Sequence, residues 1–163
     1  ETKKYKLLHV LEFNSDRKRM SGIVRDSEDR VMVICKGTDI IINARLEPGQ
    51  MFIKSTNEDL ERYAEAGLRT LLVAYRFVDA EFYQDWVARF KVASSSTVNR
   101  DKMIDRCAEE IEVNFTLAGC SAIEDKLQDQ VGETIRDIRR AGIKVWVLTG
   151  DKVETAINIG QSC

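Results

Sequence analysis

The sequence has little of the chemistry that metal sites and membrane spans require. One histidine and four cysteines, with no Cys-x-x-Cys pair, argue against a Cys/His zinc site in these 163 residues. Apolar runs reach only about six residues, against the roughly 20 that cross a bilayer. The net charge of −2, from 25 basic and 27 acidic residues, gives no general reason to expect a nucleic-acid or membrane-surface partner.

What is present is typical of a globular protein. Hydrophobic residues make up 44% of the chain, which is enough for a packed core. The length allows one ordinary domain or two small ones. Scattered cysteines and the lack of a signal peptide predict a soluble chain in a reducing, cytosolic setting.

The first two thirds of the sequence predict an antiparallel sheet with flanking helices. Met20–Arg25 and Arg30–Lys36 are typical of strands, and the short polar turn DSED between them favours a hairpin. Ser55 or Thr56 is expected to cap a helix that Gly67 ends. The other predicted elements are strands at Lys4–Phe13 and Leu68–Phe77, a short helix around Ile40–Leu46, and helices at Asp79–Phe90 and Asn99–Val113.

The pattern changes near Phe115. FTLAGCSAI is typical of a strand, Asp129–Arg140 of a helix with Ile135 and Ile138 facing inward, and IKVWVL of another strand. Such a β-α-β unit implies two parallel strands with a right-handed crossover. The change from hairpins to this unit predicts a domain boundary near residues 114–118.

The tip of the last predicted strand carries Thr149, Gly150 and Asp151. Ligands bind beyond the carboxyl ends of strands in open parallel sheets. A glycine lets the backbone approach a ligand, and a carboxylate suits Mg²⁺ shared with phosphate oxygens. The three residues therefore suggest a phosphate and magnesium edge, with simple helix capping as the competing interpretation.

Four stretches occur in one order: EFNSDRKRMS, CKGTD, AGLRTLLVAYR, and IEDKLQD followed by KVWVLTGDKVETA. Together they resemble the P-type ATPases over nearly the whole chain, and IEDKLQD resembles the phospholipid-translocating branch, the lipid flippases. The resemblance implies an adenine-stacking phenylalanine at Phe13, a nucleotide-pocket lysine at Lys36 and a nucleotide-contacting arginine at Arg69. It also implies a phosphate and magnesium loop at Thr149, Gly150 and Asp151, with ATP and Mg²⁺ as cofactors.

Each of the three isolated candidates has a structural alternative. Phe13 could pack in the core beside Leu11 instead of stacking on a purine. Lys36 could be a solvated strand end instead of a phosphate contact. Arg69 could pair with Glu65 instead of forking onto phosphate oxygens.

The sequence has two further features of interest, a basic loop and a single histidine. Arg17, Lys18 and Arg19 form a basic loop, which we interpret mainly as a solvated turn, with a phosphate contact as the alternative. His9, on an alternating strand, is expected to have a structural role.

The resemblance implies a mixed α/β fold in two parts. Residues 1–116 would form an antiparallel sheet flanked by helices, a nucleotide-binding domain without its N-terminal part. Residues 117–163 would be a fragment of a Rossmann-like, haloacid-dehalogenase-type phosphorylation domain.

The implied parent is a membrane enzyme that couples ATP hydrolysis, through an aspartyl-phosphate, to phospholipid translocation between leaflets. The site would lie at the cytoplasmic face, with transmembrane helices and an accessory membrane subunit as partners and no nucleic acid. The nucleophile motif Asp-Lys-Thr-Gly-Thr does not occur in this sequence, so the chain alone is expected to be an inactive piece with no catalytic residue or metal ligand set. The alternatives are a cation-transporting P-type ATPase, a non-catalytic nucleotide-binding module and a dehalogenase-type phosphatase.

Overall fold

The computed structural model describes residues 3–124, 127–149 and 153–162. Its strands form one five-stranded sheet in the order β1-β2-β3-β4-β5, and the pairs β1–β2, β2–β3 and β3–β4 are antiparallel. The mixed α/β class predicted from the sequence is confirmed. The elements are β1 (Lys6–Leu11), β2 (Arg19–Arg25), β3 (Val31–Gly37), α1 (Asp39–Asn43), α2 (Ile53–Glu65), β4 (Arg69–Val78), α3 (Ala80–Ser95), α4 (Arg100–Ile111), β5 (Thr116–Ile123), α5 (Val131–Arg140) and α6 (Val153–Ser162).

The chain divides into two compact units. The first contains the described residues up to 53 together with 71–119, and the second contains residues 54–70 and the described residues from 120 onward. The assignment of 1–116 and 117–163 to two functional domains stays a prediction, because compactness does not identify the role of a unit.

The hairpin predicted between β2 and β3 is confirmed. The Asp26 N–H donates to the Arg30 carbonyl at 3.0 Å, and Asp29 has the positive φ of 62° that the tight turn requires. The Asp26 carboxylate accepts the N–H groups of Glu28 and Arg30 at 2.9 Å each. One acidic side chain thus satisfies the amides that the turn leaves without sheet partners.

The core of the first unit lies on one face of the sheet. Leu11, Ser21, Cys35 and Ala74 stand opposite one another on β1 to β4, and each is at most 1% exposed. Burial raises the pKa of the Cys35 thiol to about 11 despite a hydrogen bond with Ser21. This thiol therefore stays protonated at neutral pH and is not a candidate nucleophile.

Helices α3 and α4 pack together and contribute the aromatic part of this core. Asp79 caps α3 by accepting the N–H groups of Glu81 and Phe82 at 2.9 and 3.2 Å. Trp86 is fully buried and stacks on Phe90 with ring centroids 4.8 Å apart. The His9 ring lies 5.2 to 6.3 Å from three aromatic rings of α3, which is the structural role expected of it.

The start of α2 differs from the prediction. The helix begins at Ile53, so Ser55 and Thr56 lie in its first turn and do not occupy the cap. First-turn N–H groups have no intrahelical acceptors, so hydroxyl residues are favourable there as well as at the cap. The predicted stop at Gly67 is confirmed, since Gly67 has φ 79° and its N–H donates to the Ala64 carbonyl at 2.9 Å.

The predicted β-α-β unit forms only in part. Its first strand is β5 and its helix is α5. The predicted glycine stop is confirmed, since Gly142 follows the end of α5 and has φ 80°. Residues 143–149 form no strand, and Trp146 and Leu148 are 81% and 94% exposed. The prediction of a second, parallel strand was therefore wrong for this structure, because an apolar run becomes a strand only when a neighbour satisfies its backbone groups.

Candidate functional site

The antiparallel register brings two of the predicted site residues to the same end of the sheet. Leu11 on β1 is opposite Ser21 on β2, which is opposite Cys35 on β3. Phe13 follows the end of β1, two residues after Leu11, and Lys36 lies one residue beyond the row on β3. Adjacent strands are about 4.8 Å apart, so the ends of β1 and β3 flank the beginning of β2.

Phe13 is exposed, with 59% of its surface accessible. The alternative of core packing is not met, because Leu11 occupies the core position at 1% exposure and β1 ends there. The polar residues that follow form a turn. An aromatic ring outside the core leaves a face open for stacking.

Lys36 is exposed on β3 between the buried residues Cys35 and Gly37. Gly37 has a structural reason for its lack of a side chain. A Cβ atom there would lie 2.7 Å from the Cβ of Arg19 and 2.8 Å from the Lys18 carbonyl oxygen. The end of β3 thus fits closely against the backbone of residues 18 and 19, which sets Lys36 beside that turn.

Lys18 is the exposed cation of that turn. Its N–H donates to the Asn14 carbonyl at 2.9 Å, and its own carbonyl accepts the Thr38 N–H at 3.2 Å. Lys18 has a positive φ of 51° and is exposed, while Arg17 and Arg19 on either side of it are buried. Lys18 therefore lies between the segment that carries Phe13 and the segment that carries Lys36. It is a further candidate for the phosphate contact that the sequence suggested as the alternative role of the basic loop.

The interpretation of this loop as a solvated turn was wrong for its two arginines. Arg17 and Arg19 are 7% and 2% exposed. Both bind the buried carboxylate of Glu112, Arg17 through Nη2 at 2.5 Å and Arg19 through Nε at 2.7 Å. The partner follows more than 90 residues later, so local sequence could not reveal it.

Glu109 extends this cluster toward the surface. Its carboxylate accepts from Arg19 Nη2 at 2.5 Å and from Arg45 Nη2 at 2.7 Å. Burial acts to raise the pKa of Glu109, but hydrogen bonds and charge from Arg19 and Arg45 outweigh it and hold this pKa below the usual 4.5. The ionised form is therefore favoured in the folded protein.

We expect Glu109 to make stability depend on pH in the acid range. The pKa of Glu109 is lower in the folded protein than in the unfolded chain. Its contribution to the free energy of unfolding is therefore complete above about pH 4.5 and is lost as the pH falls through the pKa of the folded state. Urea unfolding at pH 7 and in steps below pH 4.5 measures the free energy of unfolding at each pH. Glu109→Gln should make this free energy fall less steeply as the pH is lowered. Glu61→Gln, at an exposed position on α2, is the control, and an identical slope in wild type and Glu109→Gln would contradict the assignment.

The edge around Phe13 carries acidic as well as basic side chains. Glu12 and Asp16 are exposed on the same turn as Lys18. The edge is therefore not uniformly positive, and recognition of an anion there depends on the placement of Lys18 and Lys36 and not on net charge.

The remaining predicted site residues belong to the second unit or lie outside the described residues. Arg69 is the first residue of β4 and is exposed. Thr149 is exposed and lies in neither a helix nor a strand. Gly150 and Asp151 lie outside the described residues.

Two further findings concern the described parts of the chain, residues 3–124, 127–149 and 153–162. They hold no cluster of three or more His, Cys, Asp or Glu side chains suited to a metal ion. Among them, no helix combines the length and apolar character needed to cross a membrane.

Comparison with known proteins identifies the family. The model of the family described as P-type ATPase, cytoplasmic domain N, matches residues 1–130. Over 163 residues the chain is 48% identical to the phospholipid-transporting ATPase IC of Xenopus tropicalis, covering 100% of this chain and 13% of the relative. It is 50% identical over 161 residues to the probable phospholipid-transporting ATPase 11 of Arabidopsis thaliana, covering 98% and 13%.

A yeast relative gives the same result. The chain is 48% identical over 164 residues to the phospholipid-transporting ATPase DRS2 of Saccharomyces cerevisiae, covering 100% of this chain and 12% of the relative. The chain thus spans about one eighth of the length of these relatives. The family match covers well over half of the chain, and the chain therefore belongs to the P-type ATPase family, of which it carries the cytoplasmic domain N.

Proposed function

We propose that the first unit binds ATP, with the adenine stacked on Phe13 and the phosphates directed to Lys18 and Lys36. The observation that supports this most is that Phe13, Lys18 and Lys36 are all exposed and belong to the end of β1, the following turn and the end of β3, which lie at the same end of the sheet. A base stacked on an aromatic ring gains about 1–3 kcal/mol. Lysine offers a compact charge suited to phosphate oxygens.

Arg69 as a nucleotide contact and Thr149, Gly150 and Asp151 as a phosphate loop are part of the same proposal. They rest on the family resemblance of their motifs. When bound, Mg²⁺ would neutralise charge on the phosphates, and Asp151 is the residue proposed to lie near it.

For the whole protein we propose ATP-driven movement of a phospholipid between bilayer leaflets, at the cytoplasmic side of a membrane. The relatives named above are phospholipid-transporting ATPases, which favours this substrate over a cation. The phosphoryl group of ATP would pass to an aspartate outside this sequence, since Asp-Lys-Thr-Gly-Thr does not occur in it. Residues 1–116 would serve as nucleotide-binding domain and residues 117–163 as part of the phosphorylation domain, with transmembrane helices and an accessory subunit as partners.

An NMR titration of the labelled chain with ATP and, separately, AMP tests the proposal. Amide signals near Phe13, Lys18 and Lys36 should shift together with both nucleotides, because the adenine is common to them. The affinity is expected to be weak, on the order of 1 mM, for a site with few enclosing groups. A folded chain whose signals do not move at several millimolar ATP would exclude nucleotide binding by this unit alone.

Removing either lysine should weaken ATP binding and leave adenosine binding unchanged. Lys18→Gln and Lys36→Gln are each expected to cost about 0.5–1.5 kcal/mol, the net value of one polar contact. Adenosine lacks the phosphates, so it should not sense the change. Parallel titrations of each variant with ATP and adenosine provide the measurement.

Lys6→Gln is the matched control, because Lys6 is exposed at the start of β1, the end of that strand opposite Leu11 and the turn that carries Lys18. It should bind ATP as the wild type does. Equal losses for ATP and adenosine in the Lys18 and Lys36 variants would mean that these lysines act on the fold and not on the phosphates.

A further inference from the structure

Glu112 is a fully buried carboxylate that sits at the C-terminal end of α4. The partial negative charge of a helix C-terminus disfavours a carboxylate there, so its burial needs strong compensation. Three side-chain donors supply it: Arg17 Nη2 and Ser21 Oγ reach Oε1 at 2.5 and 2.6 Å, and Arg19 Nε reaches Oε2 at 2.7 Å.

Arg17 connects this carboxylate to the residue beside Phe13. Its Nη1 donates to the Glu12 carbonyl at 2.7 Å while its Nη2 binds Glu112. Its backbone N–H donates to Asn14 Oδ1 at 2.7 Å. One guanidinium therefore holds the start of the turn against the end of α4.

Arg19 closes the other end of the turn. Its Nη1 donates to the Arg17 carbonyl at 3.2 Å, and its Nε binds Glu112. With both arginines drawn inward, the residue between them, Lys18, is exposed. The alternation of buried and exposed side chains along residues 17–19 thus follows from one distant carboxylate.

We propose that Glu112 is a positioning residue for the nucleotide site, holding the turn of residues 12–19 so that Phe13 and Lys18 face a bound nucleotide. The inference rests on the proposed function of this edge. An ion pair that only attached α4 to the sheet would need Arg19 alone. The hydrogen bond from Arg17 to the Glu12 carbonyl connects the Glu112 carboxylate to the segment that carries Phe13 and Lys18. A turn that is already ordered in the free protein avoids the entropy cost of ordering the turn when the nucleotide binds.

The test is Glu112→Gln in the 163-residue chain, which keeps the side-chain size and removes the charge. We expect ATP affinity to fall about three- to tenfold, as for loss of preorganisation, and adenosine affinity to fall as well, since Phe13 is displaced along with Lys18. Without nucleotide, hydrogen exchange of the Arg17 and Lys18 amides should accelerate, because both donate to Asn14. Glu112→Asp should restore part of both properties.

Glu109→Gln is the matched control, since Glu109 binds Arg19 but not Arg17, and its ATP affinity should stay within about twofold of wild type. If Glu112→Gln does not fold, Arg17→Lys replaces it, because one ammonium group cannot bridge Glu12 and Glu112 as the guanidinium does. A lower thermal midpoint with wild-type ATP affinity would overturn the inference and leave Glu112 a stabilising residue only. Wild-type amide exchange in the variant would overturn it whether or not ATP binds, which separates this failure from failure of the proposed function.

Discussion

Replacing Trp86 by alanine should lower the free energy of unfolding by about 3–5 kcal/mol, the range for deleting a buried large aromatic side chain. The indole is fully buried, stacks on Phe90 at 4.8 Å and donates from Nε1 to the Cys107 carbonyl at 2.8 Å. The variant therefore loses packing between α3 and its neighbours and the indole hydrogen bond to the Cys107 carbonyl. Urea unfolding followed by circular dichroism measures the change.

One variant isolates the hydrogen bond of Trp86, and a second serves as the control. Trp86→Phe keeps most of the ring contact and removes the side-chain donor to Cys107, so it should cost about 0.5–1.5 kcal/mol, the net value of one hydrogen bond. Val92→Ala lies on the same helix but at 65% exposure, and should change stability by less than about 0.5 kcal/mol. A Trp86→Ala variant as stable as Val92→Ala would show that the aromatic cluster does not hold this core together.

Replacing Phe13 by alanine should weaken ATP and AMP binding by about 1–3 kcal/mol, the value of one base stacked on an aromatic ring. That corresponds to an increase in Kd of about five- to 150-fold. Stability should change by less than about 0.5 kcal/mol, because the ring is 59% exposed and Phe13 is not one of the buried core residues. Calorimetric titration for affinity and urea unfolding for stability give the two numbers.

Phe77→Ala is the matched control for this loss. Phe77 is also a half-exposed phenylalanine, at 48%, but it pairs with Met32 near the opposite end of the sheet from Lys36. Its removal should leave nucleotide affinity unchanged. If Phe13→Ala folds and binds both nucleotides as tightly as Phe77→Ala does, the proposed stacking role is wrong.

Most of the local elements were predictable from the sequence, and particular residues show why. The DSED turn and the glycine stops at Gly67 and Gly142 act through atoms a few residues away, so their chemistry is visible in a short window. The strand-like stretches Met20–Arg25 and Arg30–Lys36 on either side of that turn likewise indicated β2 and β3. The prediction that Ser55 or Thr56 caps α2 was wrong, since the helix starts at Ile53 and a hydroxyl residue suits the first turn as well as the cap.

The candidate site was predictable only in part. The motif resemblance indicated Phe13 and Lys36, and the structure adds that both are exposed at one end of the sheet. Their function stays a proposal. The sequence did not indicate why residue 37 must be a glycine. A Cβ atom there would lie 2.7 Å from the Cβ of Arg19, and this contact depends on how the ends of β2 and β3 meet.

The sequence by itself determined the strand and helix periods, the turns and the family motifs, since these depend on neighbours within a few positions. Only the tertiary structure decided that Arg17 and Arg19 are buried. A buried charge needs an opposite charge in contact with it, and their partner Glu112 is 95 and 93 residues away along the chain. The tertiary structure also decided that residues 143–149 form no strand, because a strand exists only through hydrogen bonds to a neighbouring one.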